Sequence, residues 1–273
     1  MLIGRMLLLA AVILGAAPAS ATERILTLKF GDDSRRFTAA ELLARPDAAT
    51  LAIPNDVSYK RAMTYRAVPM LAVIGAAALE DADTIEARAS DGFVSQIPAT
   101  LVKKAAEGGS VPWIAIEDPD APWPNLDGQQ HSGGPFYLVW ENPERSGIGS
   151  EQWPFALVGL TAVEHPLHRW PQLAVDAALP ETTPERRGQA SFITNCMPCH
   201  RLKGAGQGEI GPDLGHPMNV TAYVTPAGIR AIVRDPKAVR TWPKQQMVGF
   251  TAEQIPDAEL DALIAFLAHI AKR

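Results

Sequence analysis

Cys196-Met197-Pro198-Cys199-His200 is the stretch from which the rest of this chain is read. Two thiols three residues apart, with a histidine directly after the second, form the attachment signature of c-type haem. On one helical turn this spacing points both sulfurs at the vinyl edge of a porphyrin, and the adjacent imidazole reaches the iron from the same side as a proximal histidine. Other uses of a Cys-x-x-Cys pair fit less well. A structural zinc site needs about two further Cys or His ligands at short spacing, and the nearest, His216, has no partner nearby. A thioredoxin-like redox pair needs a preceding strand and a parallel sheet, whereas Phe192 to Asn195 continues a helical pattern from Pro184.

Around the motif, the segment from Thr182 to Arg273 resembles class I cytochrome c, about a third of the chain. Gly188 and Phe192 stand where that family packs its N-terminal helix against its C-terminal one, and Leu263 and Phe266 match the other side of the crossing. A glycine lets two helix backbones approach closely. Pro212, in Gly211-Pro212-Asp213-Leu214, matches the proline whose carbonyl accepts the histidine Nδ1–H, a bond that sets the ring's tautomer and orientation. The resemblance implies an all-α domain carrying one covalent haem c, with Cys196 and Cys199 as thioether donors and His200 as an axial iron ligand.

Two methionines compete for the sixth position, where a sulfur ligand raises the reduction potential and marks an electron carrier. Met247 lies in a Pro-broken loop before the last helix, where the family places its axial methionine, although Val248 follows it where the family has proline. Met218 comes soon after the proline loop and is separated from the distal side by a helix from Pro226 to Asp235, so Met247 is the expected ligand. Arg240, Trp242 and Lys244 are close enough to Met247 in sequence to meet the haem propionates.

A length of 273 residues is enough for about two domains. Residues 1–21 read as a signal peptide: Arg5, an apolar run from Met6 to Ala17, then Ala19-Ser20-Ala21 as a cleavage site. The run is shorter than the roughly 20 residues a spanning helix needs, so a membrane enters only if this segment is retained as an anchor. Export to the periplasm agrees with the resemblance, because bacterial c-type haem is attached outside the cytoplasmic membrane. The expected division is a signal peptide at 1–21, an α+β domain at 22–165, a linker at 166–183 and the haem domain at 184–273. The two cysteines of the chain are both in the haem motif, leaving none for a disulfide. Residues 22–181 carry 13 Lys+Arg against 22 Asp+Glu, net −9, and residues 182–273 carry 11 against 8, net +3. That balance argues against nucleic acid as a partner.

In the first domain, Leu26, Leu28 and Phe30 alternate with polar residues as in a half-buried strand. Thr38-Ala39-Ala40-Glu41 is a capping box opening a short helix that stops before Pro46. Pro69 to Leu79 reads as a buried helix, Thr84–Ala89 and Phe93–Ile97 as a hairpin, and Pro98 to Glu107 as a helix stopped by Gly108-Gly109. Strands follow at 113–116, 136–140 and 155–163. Tyr65-Arg66-Ala67-Val68-Pro69-Met70-Leu71, Ala89-Ser90-Asp91-Gly92-Phe93 and Gly133-Gly134-Pro135-Phe136-Tyr137-Leu138-Val139-Trp140 together resemble the sulfite-oxidase-type molybdopterin-binding fold. In that family a cysteine upstream of the first motif supplies a thiolate to molybdenum, but residues 22–64 contain none. Oxygen or nitrogen donors do not replace a thiolate's donation, which argues against molybdopterin as a cofactor. The acidic, aromatic loop from Asp118 to His131, with Trp123, Asp127 and His131, and the polar cluster Tyr59-Lys60-Arg61 are further candidates for ligand or partner contact.

These features point to an exported monohaem c-type cytochrome that carries electrons for a dehydrogenase or a terminal reductase, its first domain selecting the partner. The alternative is a haem-containing oxidoreductase whose first domain binds a substrate or a molybdopterin-type cofactor.

Overall fold

The computed structural model describes residues 24–75, 79–81 and 83–273. The expected signal peptide lies outside them. Among the described residues no helix is long and apolar enough to cross a membrane.

The N-terminal half runs β1 (Leu26–Phe30), β2 (Asp33–Phe37), α1 (Ala39–Leu43), β3 (Ala49–Ile53), β4 (Met63–Pro69), α2 (Met70–Ile74), β5 (Asp83–Ala89), β6 (Val94–Pro98), α3 (Ala99–Lys103), β7 (Val111–Ile116), β8 (Phe136–Glu141) and β9 (Leu157–Glu164). It is an α+β region with two sheets. One sheet has the order β2-β1-β9-β5-β6 and the other β3-β4-β7-β8. All pairs are antiparallel except β1 with β9, where Leu28 faces Leu160 in parallel register. Leu28, Tyr65, Ile85, Ile114, Tyr137 and Leu160 belong to one buried apolar cluster built from both sheets. Inside it Asp56 is satisfied four times: it accepts from the Ser58 and Tyr59 amides and from the Tyr65 and Tyr137 hydroxyls. A buried carboxylate costs free energy unless bonded in this way.

Local signals hold where the sequence carries them. The capping box forms with both reciprocal bonds, Glu41 N–H to Thr38 Oγ1 at 3.2 Å and Thr38 N–H to Glu41 Oε2 at 2.8 Å. The helix expected from Pro69 to Leu79 is corrected: Pro69 ends β4, and α2 stops at Ile74 because Gly75 takes φ +82°, outside the helical basin. The helix expected at 98–107 is α3 followed by a 3₁₀ turn over Lys104–Glu107, closed by Gly108 in the left-handed region. Strands β2, β3 and β4 were not read from the sequence. Arg66 and Thr64 alternate with buried Tyr65 and Ala67 on β4, but the run is polar on one face, and its second partner, β7, is distant in sequence.

The C-terminal half is helical: α4 (Pro166–Arg169), α5 (Pro184–Ser191), α6 (Pro226–Arg234), α7 (Pro236–Val239) and α8 (Asp257–Ile270). A second apolar cluster holds Phe192, Met197, Leu202, Leu263 and Phe266. The stretch expected as a linker is packed on both sides: Leu173 and Val175 are buried in this cluster, and Arg169 Nη1 lies 2.6 Å from Glu86 Oε1 on β5. Helices α5 and α8 cross at Gly188, where an added Cβ would overlap the Ala262 backbone and stand 2.7 Å from Phe266 Cβ. Phe192 and Phe266 stack beside the crossing with ring centroids 5.6 Å apart.

The two halves meet along a seam that begins at β8. This strand is at the edge of its sheet, yet Phe136 to Trp140 are fully buried. The segment after it covers the edge: Leu138 N–H donates to Pro154 O at 3.1 Å and Trp140 Nε1–H to Gln152 O at 2.8 Å. Covering an exposed edge removes a row of unpaired backbone groups. The same segment lies against the Cys-x-x-Cys-His region, with Gly149 facing the Asn195 side chain. Across the seam Val94 N–H donates to Pro198 O at 3.0 Å, Glu209 N–H approaches Gly92 O at 3.4 Å, and Arg88 bonds to Gln207.

Candidate haem site

The attachment motif follows α5 without a break. Over Phe192–Cys196 the helix widens into a π turn, with Met197 N–H donating to Phe192 O at 2.9 Å. Such widenings are rare and recur at functional sites. One further turn closes as Cys199 N–H and His200 N–H both donate to Cys196 O, at 3.1 and 2.8 Å. Cys196, Cys199 and His200 are therefore held on consecutive turns of one segment, and both cysteines are free.

His200 is oriented from below by the loop after it. Its Nδ1 lies 2.8 Å from Pro212 O. A carbonyl only accepts, so Nδ1 carries the proton and Nε2 keeps its lone pair for a metal. Burial lowers the His200 pKa against the opposing effect of the Pro212 carbonyl, which favours the neutral, ligating imidazole. Asp213 builds the loop by accepting from the amides of Lys203, Gly204 and Gly215 at 2.7–2.9 Å. Gly211 is required here: an added Cβ would stand 2.8 Å from His200 Nε2 and nearer still to its Cε1 and Nδ1. Gly208 gives the same clearance to the motif backbone, where a Cβ would be 2.6 Å from Cys199 C.

The thiols are strongly desolvated. Burial, then the charge of Glu151, pushes Cys196 up to about 12, and burial with Glu151 and Asp91 moves Cys199 upward as well. Both are thus held as thiols at neutral pH, unlike the low-pKa thiolates of a redox pair.

The segment expected to carry the sixth ligand has no regular structure between α7 and α8. Met247 is half-buried in it, whereas Met218 is 52% exposed. Arg240 lies over the Trp242 ring, its guanidinium carbon 5.7 Å from the centroid, and both are exposed. Among the described residues the large exposed apolar side chains are Met218, Tyr223, Val239, Trp242 and Val248, all within residues 218–248. An apolar set of this kind marks a surface that receives a partner or ligand. A group anchored at Cys196 and Cys199 fits the donor set: two free cysteines about one turn apart and, directly after the second, a histidine whose Nε2 lone pair is free.

A family model described as cytochrome c matches residues 185–271. That region is a cytochrome c domain. No curated protein matches the chain. A cytochrome c domain carries covalently bound haem c and serves haem-based electron transfer.

The candidates in the N-terminal half do not gather into a site. Trp123 turns inward, 4.9 Å from the Tyr65 ring, and its amide donates to Glu117 Oε1. His131 stays exposed with Nδ1 2.8 Å from Ser132 O, and Asp127 is exposed. Tyr59 is buried and its hydroxyl accepts from Gly133 N–H at 2.8 Å, while Lys60 and Arg61 face outward. Sequence reasoning missed Glu151, a lone acid in an unremarkable stretch that only the fold carries to the cysteines of the haem motif.

Proposed function

We propose that the chain is an exported, periplasmic monohaem c-type cytochrome that passes single electrons between a dehydrogenase or reductase and another carrier, with residues 22–165 as a partner-recognition domain and 184–273 as the haem domain. The observation that carries this reading is the turn holding Cys196, Cys199 and His200, with Nδ1 of His200 tied to Pro212 O at 2.8 Å. Bound haem supplies reversible one-electron chemistry. Cys196 and Cys199 would anchor it, His200 would offer Nε2 and Met247 its sulfur, a donor pairing that raises the potential. Gly188 and Phe266, at the crossing of α5 and α8, would form one wall of its crevice, and Arg240 and Trp242 would meet the propionates.

The N-terminal region supports recognition more than catalysis. Its two sheets, with the Tyr65–Leu71 motif running from β4 into α2 and the Ala89–Phe93 motif at the β5–β6 turn, agree with a sulfite-oxidase-like fold that lacks the cysteine ligand. Its net charge of −8, from 12 Lys+Arg against 20 Asp+Glu over residues 22–165, beside a +3 haem domain orients an encounter with a charged partner. The test is purification of the exported protein with an alkaline pyridine haem spectrum, metal and pterin analysis, and reduction trials. One covalent haem per chain without molybdenum or pterin supports the reading. A non-covalent haem overturns the first part, and stoichiometric molybdenum with pterin overturns the second.

A further inference from the structure

The seam between the halves places one acid against the haem-attachment motif. Ser150–Gln152 forms a short turn that packs on the π turn over Phe192–Cys196. The turn is held from several sides: Trp140 Nε1–H and Ser95 Oγ–H donate to the carbonyls of Gln152 and Glu151, at 2.8 and 2.7 Å, and Gly149 N–H donates to Gln152 Oε1 at 2.9 Å. Glu151 cannot easily leave. Its carboxylate accepts one hydrogen bond, from Ser150 Oγ at 3.3 Å, and no ion pair is formed to it among the described residues. Its charge acts on both Cys196 and Cys199.

We propose that Glu151, presented by the N-terminal half to the cysteines of the haem domain, binds a proton when the haem is reduced and releases it on oxidation. This rests on the haem reading above. An electron arriving from the redox partner lowers the charge of the iron centre by one. A nearby carboxylate then loses part of the attraction that favoured its ionised form, and a solvent proton joins a Glu151 oxygen. One O–H bond forms and no other bond changes, so charge balances at one proton per electron.

The surroundings favour such a switch. Burial pushes the Glu151 pKa up to about 7, opposed by the Ser150 hydrogen bond and the more distant Lys60 charge, so the group is poised at working pH. Lys60 acts on it only through its charge, from the loop after β3; Glu151 in turn acts on Cys196 and Cys199 of the motif, and Asp91 acts on Cys199 from the β5–β6 turn. The nearby face of β6 offers Val94, Ser95 and Gln96, none of which titrates. A cleft of about 350 Å³ lined by Gly149, Gln152, Asn195, Arg187 and Glu259 among others opens the seam to solvent next to the turn that carries Glu151.

The test is a spectroelectrochemical titration of the full-length holoprotein and its Glu151→Gln variant from about pH 5.5 to about pH 8.5, a window that spans the ordinary and raised carboxyl ranges. In the parent the reduction constant should fall with pH around neutrality, approaching tenfold per unit, which is about 59 mV for one electron. The variant should be flat there. A reduced-minus-oxidised infrared spectrum of the parent should gain a protonated-carboxyl band, a measurement that stands even if the variant fails to fold. A flat parent titration, an equal slope in the variant, or no carboxyl band overturns the proposal while the haem reading stands. Absence of covalent haem overturns both.

Discussion

Gly188 on α5 faces the Ala262 carbonyl on α8 with no room for a side chain between them. The crossing is set by this absence, because the helices approach until backbone meets backbone and the Phe192 and Phe266 rings fill the space beside it. Alanine normally stabilises a helix relative to glycine by about 1 kcal/mol. Here Gly188→Ala should do the reverse, destabilising by about 1–3 kcal/mol as an overpacked contact, read as a lower denaturant midpoint with an unchanged slope.

Anchoring depends on two sulfurs. Cys196→Ala combined with Cys199→Ala should abolish covalent haem, seen as loss of haem stain on a denaturing gel. Haem that acid acetone extracts from the parent protein would contradict the thioether assignment.

The two methionines are distinguished by one spectroscopic comparison. Met247→Ala should turn a low-spin ferric haem into a high-spin or water-ligated one, lower the potential and open the iron to carbon monoxide. Met218→Ala, at a side chain that is 52% exposed, should leave the spectrum nearly unchanged. The reverse pattern assigns the ligand to Met218.

Stability should respond to pH through Glu151. The folded pKa, about 7, is raised above the ordinary 4.5 by burial, so the folded chain holds a proton that the unfolded chain releases. Stability is therefore present below about pH 4.5 and lost as pH rises towards 7. Glu151→Gln should remove this loss, making the variant more stable than the parent at pH 8 by about 1–3 kcal/mol and nearly equal to it at about pH 4, in unfolding titrations at the two pH values.

Much of the chemistry was legible because it is local. Cys196, Cys199 and His200 lie within one turn, Pro212 is twelve residues on, and Gly188 and Phe192 precede them on the same helix. The capping box at Thr38 and the β5–β6 hairpin are also short-range, and both form as read. The end of α2 at Gly75 was misread because the apolar run continues past a glycine that the backbone uses for a turn.

The sequence by itself determined the turn that brings Cys196, Cys199 and His200 together, the Pro212 carbonyl that orients His200, and the glycine that lets the helices cross, since spacing along one helix or loop settles each. Only tertiary structure decided that β1 pairs in parallel with β9, that β8 is an edge covered by the segment after it, and that this segment carries Glu151 to the cysteines. Those contacts join residues from 12 to more than 130 positions apart. Their partners are chosen by burying two apolar clusters and satisfying every enclosed backbone group at once, a condition that no single stretch of residues expresses.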